Sequence, residues 1–128
     1  MTKTSVLLLI AASYGLLAVV LGAFGAHALD ERLLALGTKA VWDTAVAYQM
    51  WHALAILLLV ALRMKGPGSR LAPYCFCWGV PLFSGSLYWL ALDGPRWLGP
   101  ITPLGGLLFV AGWAALIVAA CNYKDNSC

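Results

Sequence analysis

The chain has 128 residues, 62% of them hydrophobic and only 10% charged, with a formal net charge of +3. A soluble domain carries about a quarter charged residues. The composition therefore excludes a soluble globule, a disordered chain and a nucleic-acid-binding domain, and the small positive excess reads as membrane topology and headgroup contact.

The charges are also confined. Windows 4–29, 44–62, 71–92 and 97–123 contain no Asp, Glu, Lys or Arg, and they are 26, 19, 22 and 27 residues long. A helix needs roughly 20 apolar residues to cross a bilayer. The expectation is an all-α, four-helix transmembrane bundle in one integral membrane domain over 1–128, with spans at about 5–26, 42–62, 71–92 and 103–121.

The first span runs from about Ser5 to Ala26. Ala26-His27-Ala28 has the look of a signal-peptidase site, but a signal core is about 7–15 residues and this apolar run is longer, so we expect a retained helix. Gly15, Ala18, Gly22 and Ala26 form a small-residue stripe that lets another helix approach. Asp30 is expected to cap a short amphipathic helix, Glu31 to Leu36, lying in the membrane interface and ended by Gly37.

The second span, about Trp42 to Leu62, carries Thr44, Tyr48 and His52 on one face, with Gln49 at its border. A basic turn with Gly66-Pro67-Gly68 follows. The third span, about Leu71 to Leu92, carries Ser84, Gly85, Ser86 and Tyr88. After a Gly- and Pro-rich loop, the fourth opens with Thr102-Pro103 and Gly105-Gly106. Its Ala111, Ala115 and Ala119 make a second stripe, expected to meet the stripe of the first span.

With four spans, the termini share a side with the 63–70 turn. That side holds Lys3, Arg63, Lys65, Arg70 and Lys124, against Arg32, Lys39 and Arg96 on the other. The positive-inside rule puts both termini in the cytoplasm. Trp42, Trp89 and Trp97 then mark the outer interface, and Tyr74 and Tyr123 the inner one.

Polar groups inside a bilayer are costly, so their placement is informative. His27, Thr44, Tyr48, Gln49, His52, Ser84, Ser86, Tyr88 and Thr102 all fall in the outer half. Two uses compete for them. They hydrogen-bond between helices, or they line an outer-half pocket for a lipid, a small amphiphile, a quinone or a solute. The candidate ligand-binding set is His27, Tyr48, Gln49, His52, Ser84, Ser86, Tyr88 and Thr102. The candidate helix-packing set is Gly15, Gly22, Gly25, Gly85, Gly105 and Gly106. Two histidines at different depths make a poor haem or metal site. Cys75, Cys77, Cys121 and Cys128 match no metal motif and read as free thiols. No cofactor is expected. No catalytic set is evident either, because a Ser84 or Ser86 dyad with His52 would lack an orienting acid.

Four motifs occur in order: GAFGAHAL at 22–29, VWDTAVAYQMWHALAIL at 41–57, FSGSLYWLAL at 83–92 and ITPLGGLLFVAGW at 101–113. On these the chain resembles the YgdD-like small inner-membrane proteins, the domain-of-unknown-function-423 family. The resemblance implies a bacterial inner-membrane location and four spans, and it brings no assigned activity.

The expected function is a non-enzymatic accessory or lipid-binding bundle. Its partners would be membrane lipids and either further copies of the chain or another membrane protein, with no nucleic acid. The alternatives are an oligomeric small-solute transporter or channel, and a haem or quinone redox accessory.

Overall fold

The computed structural model describes residues 2–62 and 66–122. Arg63, Lys65, Tyr123, Lys124 and Cys128, which entered the sequence reading, lie outside the described residues. Those described form helices and turns, with no strand among them: α1 (Lys3–Ala26), α2 (Asp30–Ala35), α3 (Lys39–Leu62), α4 (Pro67–Val80), a π-helical turn (Pro81–Gly85), α5 (Ser86–Ala91), a 3-10 turn (Arg96–Leu98) and α6 (Ile101–Cys121). Among the described residues three stretches are long and apolar enough to cross a membrane: Lys3–Ala26, Lys39–Leu62 and Arg96–Cys121. The third expected span is a helical rod interrupted by the π turn, so neither of its α-helical parts reaches that length.

The packing differs from that of a soluble core. Ala11, Ala18, Ala45, Ala53, Ala72 and Ala91 are fully buried, whereas Leu16, Val110 and Ile117 are each 66% exposed. Small residues line much of the interior beside Leu33, Ile56 and Phe76, while many large aliphatic ones face outward. That arrangement needs an apolar solvent and lets helix backbones come close.

The seams follow a heptad rhythm. α1 buries Ala11, Ala18 and Gly25, seven residues apart. α3 buries Trp42, Ala45, Gln49, His52, Ile56 and Leu59, in alternating steps of three and four. This is the spacing of left-handed helix bundles. α1 packs along α3, α6 packs along α4, and α3 touches the rod along its length.

The small-residue stripes do not meet each other. Gly22 faces Val46 of α3, and a Cβ at Gly25 would collide with the Trp42 indole. The α6 stripe faces α4, where Gly68 lies against the backbone of Ala115. Gly105 sits against the backbone of Leu82 and Phe83 in the π turn, and Gly106 makes ordinary contact with Phe83. Gly15 and Gly85 face open space, so neither serves packing within the chain. Gly79 and Gly112, absent from the expected set, lie against the rings of Phe109 and Phe76.

Several boundaries move. α3 begins at Lys39, where a Lys39–Asp43 ion pair of 2.7 Å closes its first turn. α4 begins at Pro67, whose missing N–H costs nothing at a helix start, so the basic turn is shorter than expected. Asp30 is not a cap. Leu29 holds that position without a side-chain hydrogen bond, and Asp30 stands in the first turn of α2. Gly37 ends this short helix at φ +68°, with Thr38 N–H donating to Leu33 O and Gly37 N–H to Leu34 O, a Schellman closure.

Candidate functional site

Five of the expected polar side chains, Gln49, His52, Ser86, Tyr88 and Thr102, are each engaged by a group on another helical element. Tyr88 on α5 donates its hydroxyl to Gln49 Oε1 at 2.9 Å. Gln49 on α3 donates Nε2–H to Tyr14 O of α1 at 2.8 Å. Tyr14 in turn donates its hydroxyl to Cys77 O of α4 at 2.7 Å. This run ties α5, α3, α1 and α4 together. Its last bond has a local cause. Pro81 stands four residues after Cys77 and has no N–H, so the Cys77 carbonyl loses its regular helical donor. In a bilayer such a group must be satisfied from within the protein, and Tyr14 supplies the hydrogen.

His52 forms the second junction. Its Nε2 receives the Trp113 Nε1–H of α6 at 3.2 Å, and its Nδ1 lies 2.7 Å from Tyr48 O. An indole N–H only donates and a carbonyl only accepts. The two contacts therefore fix His52 as the neutral imidazole protonated at Nδ1. The ring lies face to face with Phe109, centroids 3.5 Å apart and planes 7° apart, and edge-on to Phe76 at 5.0 Å. Its residue is only 3% exposed.

The third junction joins the π turn to α6. Ser86 Oγ approaches Leu82 O at 2.6 Å and Phe83 O at 2.9 Å, and lies 2.6 Å from Thr102 Oγ1. Ser86 has one hydrogen and gives it to these carbonyls, so Thr102 donates the hydrogen of the side-chain pair. The wide turn thus has its carbonyls served by the serine that follows it. Two more bonds close the end of the bundle near α2. Trp42 Nε1–H donates to Leu21 O at 2.9 Å, and Thr38 Oγ1–H donates to Ala91 O at 2.7 Å.

The remaining expected residues stand apart from these junctions. His27 is exposed at the C-cap of α1. Thr44 bonds back to Ala40 O of its own helix at 2.8 Å. The Tyr48 ring packs against Phe83 and Trp51, with centroids 4.7 and 4.9 Å away. Ser84 is fully buried, and its hydroxyl has no hydrogen-bond partner. A cavity of about 370 Å³ does open at this end of the bundle, but apolar and aromatic side chains of Leu21, Trp42, Tyr88 and Trp89 line it. Cys75, Cys77 and Cys121 are free thiols. Among the described residues no group of three or more His, Cys, Asp or Glu is placed to hold a metal ion.

Chemically the arrangement is a set of interhelical latches. His52 has no free nitrogen to act as a base or a ligand, and Ser86 is held by three oxygens. Tyr14, Thr38 and Trp113 were not on the sequence's candidate set, yet each supplies a hydrogen to another element. Pro81 was the available signal for Tyr14, since it strips a carbonyl at mid-helix of its donor.

The comparisons agree with the motif reading. A family model described as "Protein of unknown function (DUF423)" matches residues 21–106. A protein named "UPF0382 membrane protein" from Staphylococcus epidermidis is 39% identical over 119 residues, covering 92% of this chain and 97% of its own. The Bacillus subtilis UPF0382 membrane protein YwdK is 42% identical over 121 residues, covering 92% and 98%. The Escherichia coli UPF0382 inner membrane protein YgdD is 41% identical over 126 residues, covering 92% and 91%. No solved structure matches the chain. With the family model spanning most of its length and such relatives aligned nearly end to end, the chain belongs to the DUF423 family of membrane proteins.

Proposed function

We propose that the chain is a non-enzymatic, lipid-interacting accessory protein of the bacterial inner membrane, a four-span bundle with both termini in the cytoplasm. The rod of α4, the π turn and α5 is the remaining span. Its 25 residues rise about 37 Å at 1.5 Å each, enough for a hydrocarbon core of roughly 30 Å. The short α2 then lies in the outer interface, its exposed Leu34 and Leu36 against lipid. The inner-membrane location follows the name of the Escherichia coli relative.

The observation that carries this reading is the internal use of the polar groups. Gln49 meets partners on two neighbouring helices, and His52 meets Trp113 of α6 with Nε2 and Tyr48 O of its own helix with Nδ1, so they stabilise the bundle and leave no reactive group pointing into a cavity. Lipid contact falls instead to the apolar clefts between helices.

Native mass spectrometry of the gently solubilised protein tests this. A variant carrying Gln49→Leu and His52→Leu should lose stability and keep its lipid adducts. A non-lipid ligand of defined mass, present in the wild type and lost in the variant, would overturn the reading in favour of a polar binding site.

A further inference from the structure

α1 and the 67–91 rod barely touch, and Tyr14 bridges them by a single side-chain bond. Between that bond and the Lys3 end of the bundle the two helices leave a cleft. It holds cavities of about 600 and 400 Å³, within the size range of ligand pockets. Both cavities are lined by Lys3, Leu7 and Tyr74, so they adjoin. One reaches Arg70 at the mouth, and the other reaches Tyr14 and Pro81 at the floor.

The mouth is cationic and the walls are apolar. Lys3 and Arg70 are both exposed, and the ion pair among the described residues is elsewhere, at Lys39–Asp43. Asp30, Glu31, Asp43 and Asp93, four of the five acids, belong to the opposite end of the bundle. The groove has the length of one leaflet. From Lys3 to Tyr14 α1 rises about 16 Å, close to half of a roughly 30 Å hydrocarbon core. On the proposed topology the mouth lies at the cytoplasmic leaflet, where anionic lipids attract basic side chains.

We propose that the cleft between α1 and α4 is a binding site for one anionic phospholipid, its phosphate between Lys3 and Arg70 and one acyl chain laid along Leu7 toward Tyr14. This deepens the lipid-interacting reading and rests on it.

The test is native mass spectrometry of the full chain in detergent containing equimolar phosphatidylglycerol and phosphatidylcholine with identical acyl chains. The wild type should retain phosphatidylglycerol with a preference on the order of thirtyfold, as two surface cations would give. A Lys3→Gln and Arg70→Gln variant should lose that preference. An Arg32→Gln and Arg96→Gln variant, with the same charge removed from the other end, should keep it. Glycerol 3-phosphate alone should leave no adduct. Equal retention of the two lipids by the wild type, equal loss of preference in both variants, or an adduct with glycerol 3-phosphate matching that of the lipid would each overturn the site. Absence of any lipid from the wild type would instead remove the lipid-interacting reading itself.

Discussion

Replacing Tyr14 by Phe removes one hydroxyl, and the structure says where the cost falls. The lost bond, 2.7 Å long, serves the Cys77 carbonyl. That carbonyl has no regular helical donor because position 81 is proline. Interhelical hydrogen bonds in membrane proteins average about 0.6 kcal/mol and reach about 1.7. The higher figure applies where the abandoned group has no substitute, so Tyr14→Phe should cost about 1.5 kcal/mol, a little over tenfold in the unfolding equilibrium. Pro81→Ala restores an N–H at position 81. In that background Tyr14→Phe should cost about 0.5 kcal/mol, giving a coupling near 1 kcal/mol between residues on different helices. Reversible unfolding in mixed micelles of dodecyl sulfate and a mild detergent measures all four proteins of the cycle. Equal cost of Tyr14→Phe in both backgrounds would refute the reasoning.

The two serines of the π turn should behave oppositely. Ser84→Ala removes a buried hydroxyl with no partner and should be neutral or stabilising, whereas Ser86→Ala should cost about 1 kcal/mol in the same unfolding assay. The stripe glycines separate in the same way. Gly25→Ala drives a Cβ into the Trp42 indole and should destabilise by about 1–3 kcal/mol, while Gly15→Ala meets open space and should be tolerated, as thermal unfolding in detergent would report. Topology reporters fused after Gly66 and after Gly94 should read cytoplasmic and external respectively. A cytoplasmic signal from the second would mean that the 67–91 rod does not cross.

Sequence alone resolved the helical elements well because charge is so expensive in lipid. The four charge-free windows mark the four helical rods to within a few residues. The level along the helices at which the polar residues fall was legible for the same reason. Their partners were not. Helical spacing says that Thr44, Tyr48 and His52 share a face, but not that Trp113 approaches His52 or that Tyr88 reaches Gln49, since those meetings depend on how α3, α5 and α6 are rotated. The π turn was also hidden. A proline at 81 signals a disturbed helix, and only the packing of Gly105 on the backbone of Leu82 and Phe83 shows why the wide turn is accommodated there. The stripes on α1 and α6 were visible, but a stripe of small residues does not name its partner. α1 found Val46 and Trp42 of its neighbour α3, and α6 found α4.

Gln49, His52, Ser86, Tyr88 and Thr102 are latches already engaged on neighbouring helical elements. The most direct measurement is the nitrogen-15 NMR signature of the His52 imidazole in protein labelled at histidine and reconstituted in bilayers. The expected signature is a single neutral ring protonated at Nδ1, with Nε2 shifted by accepting the Trp113 hydrogen and changed by Trp113→Phe. A ring protonated at Nε2, or one indifferent to Trp113→Phe, would contradict it.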